Sequence, residues 1–195
     1  MCGYKILKGL KWQIGDYSIE SIRYDDSELI RKWRNEQISA LRQSTELSAE
    51  EQDYYFKNSV IPEFDSHAPP KVLVRFTSKG LLIGYGGIVH IHWADKRGEV
   101  SFLLDTTRAN NHQVYINEIK IFLRLLSEMA FSYLKLNKLS TESYNHRLFH
   151  VNAIEDFGFK REGILRKHTK INGLWVDSII TSLLNEDFTS LINNE

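Results

Sequence analysis

The chain has 195 residues, enough for one domain with a full-sized core, and its 25 Lys and Arg balance its 25 Asp and Glu. That balance leaves no broad basic field for wrapping a nucleic acid, and a hydrophobic fraction of 42% with scattered charge belongs to a folded chain rather than a disordered one. The single cysteine, Cys2, excludes an intrachain disulfide and any cysteine-based zinc cluster. No stretch approaches the length of a membrane span, and the N-terminal MCGYKILKGLKW carries no apolar run of signal-peptide length. We therefore expect a soluble, cytoplasmic protein forming one domain over 1–195, without linker or repeat, and with neither nucleic acid nor membrane as partner.

In chain order, Tyr17 to Arg23 alternates as a half-buried first strand. Asp25 or Asp26 is placed to cap a helix in which Leu29, Ile30 and Trp33 form an apolar stripe ending near Asn35. Ser48-Ala-Glu-Glu51 is a capping box that opens a second helix with Tyr54, Tyr55 and Phe56. Ile61 to Pro70 holds all three prolines and reads as a loop. Lys71 to Thr77 and Leu81 to Trp93 are strands, the second carrying Gly84, Gly86 and Gly87, which invite a bulge or a close backbone approach.

The next segment organises the rest. Val100, Phe102 and Leu104 alternate with Glu99, Ser101 and Leu103 as a strand from Gly98. A polar, Asn-rich turn follows. Then Ile119, Phe122, Leu123, Leu126, Ala130 and Tyr133 mark one face of a long helix. Strand, polar turn and amphipathic helix can present backbone amides to a pyrophosphate. Lys138 to Ser143 is a strand that should lie parallel to the Gly98 strand, because a helix connects them. Arg147 to Asp156 is a short helix closed by Gly158, and Phe159 to Lys170 and Leu174 to Leu184 form a hairpin about Asn172-Gly173. The expected architecture is α/β in the α+β sense: a single mixed, mostly antiparallel sheet, parallel only at its centre, with helices on both faces.

These segments resemble the GNAT acyl-CoA N-acyltransferase superfamily. More narrowly, they look like the branch that contains the amino-terminal acetyltransferases of ribosomal proteins and many bacterial small-molecule acetyltransferases. The resemblance is carried by LIRKWRN (29–35), GYGGI (84–88), GEVSFLLD (98–105), AFSYLKLNKL (130–139), GFKREG (158–163) and NGLWVDSIITSLL (172–184), in family order over about residues 17–188. It implies that the Gly98 and Lys138 strands splay apart, and that the pantetheine arm of acetyl-CoA lies between them on the backbone of Phe102, Leu103 and Leu104. Two departures stand out. The family's glycine-bearing pyrophosphate loop is replaced by Thr107-Arg108-Ala109-Asn110-Asn111-His112-Gln113, where Asn110 and Asn111 could supply left-handed backbone. The position from which many members donate a proton to the leaving thiolate, usually a tyrosine, is Ile154.

Acyl transfer from a thioester needs a neutral amine, and a free alkyl amine has a pKa of roughly 10, so a base is required at neutral pH. Glu99 is the first candidate, set against an edge glutamate paired with Arg97. Tyr144 is the candidate proton donor in place of Ile154, with His150 behind it. His90 and His92 share a strand face as base, as substrate contact or simply as the solvent side; no third ligand near them suggests a metal site. Arg108 stands open between a phosphate partner and a solvated arginine, and Asn145 lies near an asparagine that contacts the cofactor in family members. Trp33 could stack on an acceptor or pack in the core.

The activity expected is acetyl-CoA-dependent N-acetylation of a primary amine on a small molecule, an amino-sugar nucleotide in the narrowest form. The alternatives are a protein N-terminal acetyltransferase and a non-catalytic acyl-CoA-binding domain. A sheet edge that pairs across subunits would give a homodimer.

Overall fold

The computed structural model describes residues 3–171 and 173–193, so Cys2 and Asn172, at which the hairpin is expected to turn, lie outside the described residues. In chain order the strands are β1 (Lys11–Ile14), β2 (Tyr17–Ser21), β3 (Val72–Ser78), β4 (Leu81–His92), β5 (Arg97–Leu104), β6 (Lys138–Tyr144), β7 (Lys160–Ile171) and β8 (Leu174–Leu184). The α-helices are α1 (Ser27–Glu36), α2 (Ala49–Tyr55), α3 (Thr106–Ala109), α4 (His112–Ser127), α5 (Leu148–Phe157) and α6 (Asn185–Asn193). The strands form one sheet in the order β1-β2-β3-β4-β5-β6-β8-β7, antiparallel throughout except between β5 and β6. The mixed sheet with a central parallel pair is thus the one the hydrophobic patterning anticipates. β1 and α6 are additions to it, and Ile61–Asp65, within the expected loop, turns as a 3-10 helix.

Helices cover both faces because β5 alternates. Phe102 packs on Phe122 and Tyr115 of α4, with ring centroids 4.7 and 5.9 Å away. Ser101, one residue back, opens into a cavity shared with Ile30 and Arg34 of α1. The α4 stripe is buried from Tyr115 through Leu126, and the helix continues as a wide π turn over Glu128–Tyr133. At α2 the capping box closes both ways: Ser48 Oγ accepts from the Glu51 amide at 3.1 Å, and Glu51 accepts from the Ser48 amide at 2.8 Å. At α1 the expectation needs correction. Asp26 occupies the N-cap position without capping through its side chain. Its carboxylate instead accepts from the Arg23 amide at 2.9 Å and pairs with Arg75 at 3.1 Å.

The glycines of β4 make room for this packing. A Cβ on Gly86 would lie 2.1 Å from the Ser101 carbonyl and 2.8 Å from the Phe122 ring. Only a bare Cα lets β5 and α4 come that close. Gly86→Ala is expected to destabilise the fold by about 2 kcal/mol, as forced overpacking does, read as a lower urea midpoint at unchanged slope.

Candidate active site

The parallel pairing of β5 and β6 is short. It runs through Arg97↔Lys138, Gly98↔Leu139 and Glu99↔Ser140 and then stops, although both strands continue. The space between them is a cleft of about 220 Å³ lined by Glu99 to Phe102 of β5, Thr141 to Ser143 of β6, Ile119 and Leu123 of α4, and His150 and Ile154 of α5. The backbone that faces it follows from the antiparallel ladder on the other side. The Asp105 amide donates to the Ile83 carbonyl at 2.8 Å, so every second residue back, namely Leu103, Ser101 and Glu99, bonds to β4. Val100, Phe102 and Leu104 turn their amides and carbonyls the other way, toward the cleft side. The Leu104 carbonyl accepts from Gln37 at 2.9 Å. Among the three residues expected to offer free backbone, Phe102 does so, Leu104 has its carbonyl taken, and Leu103 belongs to the β4 ladder.

Glu99 stands where the strands part, but its partner is not Arg97, whose guanidinium reaches Asp95. Arg42, on the connection between α1 and α2, donates to Glu99 at 2.9 Å and to Glu142 of β6 at 2.7 Å, bridging the mouth of the cleft. His168 of β7 lies 3.6 Å from the other oxygen of Glu142. Beyond this bridge opens a hollow of about 630 Å³ whose walls include Arg42, Gln43, Glu142, Tyr144, His168 and Lys170. A third cavity, of about 350 Å³, lies under α1 and α2 and meets the cleft at Arg34, Val89 and Ser101. Tyr144 therefore lines the outer hollow and not the cleft; burial raises its hydroxyl pKa above the ordinary value.

The cleft wall on α5 contains a second constellation. Ile154 lies there, 2% exposed, and its hydrocarbon side chain has no proton to give. One turn earlier, His150 Nδ1 is 2.7 Å from the Tyr115 hydroxyl. Arg147 donates to the same hydroxyl at 3.2 Å and to the Ala40 carbonyl at 3.4 Å. Burial, reinforced by the Arg147 charge, holds the His150 pKa well below the usual imidazole value, which favours the neutral ring.

The remaining expected residues are placed elsewhere. Trp33 is 2% exposed in the core and cannot stack on an acceptor. His90 sits with φ 51° where the β4–β5 register shifts, and His92 pairs with Asp95 at 2.9 Å; both are exposed, and neither lines the cleft or the outer hollow. Arg108 turns inward to Glu118, its Nε donating at 2.9 Å. Asn110 and Asn111 take right-handed and extended backbone, not left-handed, because Asp105 starts a helical turn there. The Asp105 carboxylate accepts from the Thr107 and Arg108 amides at 3.0 and 3.2 Å. Burial raises its pKa, but these bonds and the Thr107 hydroxyl outweigh it and hold the carboxyl below its ordinary value. The Asn111 side chain caps α4 at the Val114 amide. Asn145 is exposed, its amide bonded to the Asp177 carbonyl. Among the described residues, no group of three or more His, Cys, Asp or Glu side chains gathers as a metal site, and no helix is long and apolar enough to cross a membrane.

Solved structures share this fold. The spermidine N-acetyltransferase of Vibrio cholerae, crystallised with CoA and spermine, superposes with a TM-score of 0.79 at 16% identity, covering 89% of this chain and 98% of that one. A chimera of the Vibrio cholerae enzyme with hSSAT gives 0.78 at 15% identity, over 90% and 99% of the two chains. At those identities the likeness is one of fold. In sequence, the probable N-acetyltransferase YjcK of Bacillus subtilis (strain 168) is 34% identical over 88 residues, 45% of this chain and 46% of that protein. The chain thus matches a little under half the length of this relative. The profile of the acetyltransferase (GNAT) domain runs through residues 19–180, from β2 past the parted strands and into β8. A profile that covers most of the chain, the parted strands included, leaves one assignment: the chain belongs to the GNAT acetyltransferase family.

Proposed function

We propose that this protein transfers the acetyl group of acetyl-CoA directly to a primary amine of a small molecule, with a nucleotide-linked amino sugar as the favoured acceptor class. The observation that carries the reading is the parting of β5 and β6 beside Glu99, which leaves an unpaired strand edge and a carboxylate at one mouth. The Val100 and Phe102 backbone would hold the pantetheine amides as an added strand does. Acetyl-CoA supplies the acyl group already activated as a thioester. Arg42 must swing off Glu99 for an amine to approach; Glu99 then takes the proton that roughly 999 in 1,000 alkyl amines still carry at pH 7. An amide donor on β5 polarises the carbonyl, and holding both reactants in line supplies the larger share of the rate.

The outer hollow supports an acceptor that carries negative charge. Arg42, His168 and Lys170 line it around Tyr144, with Glu142 as its carboxylate. The polyamine acceptor of the Vibrio cholerae enzymes would call for the opposite sign. A protein amino terminus would instead exploit the width of the same hollow.

Acetyl-CoA at a hundred times its Kd is expected to stabilise the fold by about 2.7 kcal/mol, a rise of several degrees in Tm. Thiol release should then be fastest with a nucleotide-linked amino sugar, slower with spermidine and with short peptides. Preferential turnover of spermidine or a peptide overturns the acceptor class. A thermal shift without thiol release on any amine leaves an acyl-CoA-binding domain, and no shift overturns the reading altogether.

A further inference from the structure

Departure of the thiolate puts charge on sulfur inside the cleft. Among the side chains that line it, Ser101, Thr141, Ser143, Arg34, Arg42, Arg147 and His150 carry a hydrogen to offer that charge. Most are committed. Arg34 is bonded to Gln43 and Tyr85, and Arg42 to the two glutamates. Arg147 holds Tyr115 and the Ala40 carbonyl, and Thr141 bonds Thr181 across to β8 at 2.8 Å.

Ser101, Ser143 and His150 are not; Ser143 Oγ is sealed away without a partner, and of the other two only the His150 ring has neighbours that orient it. The guanidinium of Arg147 has only donors, so the Tyr115 oxygen accepts from it, and the hydroxyl proton is left free to point at His150 Nδ1. In that arrangement Nδ1 accepts and Nε2 carries the hydrogen. Tyr115 is not among the cleft-lining residues, whereas His150 is, so the bonded edge of the ring faces away from the cleft. Nε2 has no protein partner among the described residues and is not one of the sealed, unpartnered buried atoms.

We propose that His150 is a catalytic residue acting as a neutral electrophile, its Nε2–H donating a hydrogen bond to the leaving sulfur, with Tyr115 and Arg147 as the positioning residues that lock its tautomer. The proposal rests on the acetyl-transfer reading. As the new C–N bond forms and the C–S bond breaks, the bonding pair stays on sulfur, and His150 meets that charge with a hydrogen it keeps. A neutral imidazole N–H is a far weaker acid than a thiol, so the ring stabilises the thiolate without protonating it. The proton lost by the amine leaves through Glu99, and water completes the thiol after it departs from the cleft. The neutral state favoured by burial and by Arg147 suits this role, because the ring needs no proton uptake between turnovers.

The test joins kinetics to ring spectroscopy. In wild type, 15N-edited NMR of the His150 ring should show a neutral Nε2–H tautomer at pH 6.5. His150→Ala should lower kcat about a hundredfold, as loss of one preorganised donor does. Its Kd for CoA, by calorimetry, should stay within threefold. Tyr115→Phe should cost about tenfold in kcat, mix the ring with the Nδ1–H tautomer, and be nearly silent when combined with His150→Ala. A charged ring or an Nδ1–H tautomer in wild type overturns the proposal, even if His150→Ala fails to fold. So does a fully active His150→Ala, or full additivity of the two substitutions. Wild type that binds CoA but turns over no amine overturns the acetyl-transfer reading first, and the donor with it; active wild type with an indifferent His150 overturns the donor alone.

Discussion

Glu99→Gln is expected to lower kcat/KM for the amine at pH 7 by on the order of a hundredfold or more, the usual contribution of a positioned base. Glutamine keeps the length of the side chain and a carbonyl oxygen to receive Arg42, so the bridge from Arg42 to Glu142 has no reason to collapse. What it lacks is basicity. The deficit should therefore shrink as the pH climbs toward the amine's own pKa of roughly 10, where the acceptor arrives already neutral. A pH–rate profile from 6.5 to 9.5, with the affinity for CoA measured alongside, reads both features. Turnover at pH 7 equal to wild type would remove Glu99 from the mechanism.

The same substitution at Glu142 identifies which carboxylate of the bridge is the base. Glu142 shares Arg42 with Glu99 but sits on β6, with His168 at 3.6 Å from its second oxygen. It lines the outer hollow, where the proposed acceptor would sit, as well as the cleft, rather than lying at the last paired register of the two strands. Glu142→Gln should therefore raise KM for the acceptor more than it lowers kcat. A kcat loss larger than that of Glu99→Gln would exchange the two roles.

How far the sequence reveals this arrangement depends on whether a feature is local. The capping box at Ser48 and Glu51, the strand at β5 and the apolar stripe of α4 are set by near neighbours, and each forms where its spacing foretells, although β5 is buried on both faces at Leu103 and Leu104. β1 is only four residues long, and α6 is written in polar residues around the buried Phe188; neither has enough period to announce itself. The parting of β5 from β6 has no local signature at all and is foreseen only through family likeness. Arg42 reaches Glu99 across 57 positions and Glu142 across 100, so no spacing could have joined them. Residue type misleads where the backbone decides direction. His90 leaves the regular ladder at a register shift, and Trp33, on the core-facing stripe of α1, has no acceptor to meet. His150 and Ile154 are four apart on α5, a spacing that puts both on one helix face; only the fold shows that this face is the cleft wall.

Arg108→Ala is expected to destabilise the fold by about 3 kcal/mol while leaving KM for acetyl-CoA within a few-fold of wild type. Glu118 is 1% exposed, and its carboxylate is held by Arg108 and by the Tyr17 hydroxyl at 3.2 Å. Removing the guanidinium leaves a buried charge with one neutral donor, the kind of loss that costs about 3 to 5 kcal/mol; the low end applies because Arg108 itself is one-third exposed. If unpaired charge is the cause, replacing both partners with apolar residues of similar size, as in R108M/E118L, should recover much of the stability. Chemical denaturation of the single and double variants reads the first point, and acetyl-CoA kinetics on the single variant read the second. The two outcomes decide what the arginine before α4 is for. A large loss of stability with intact KM makes it the clamp that fixes the α3 turn against α4, while a tenfold rise in KM at unchanged stability would restore it as a phosphate ligand. The geometry favours the clamp, since a guanidinium drawn inward to a buried carboxylate has little left to offer a ligand outside.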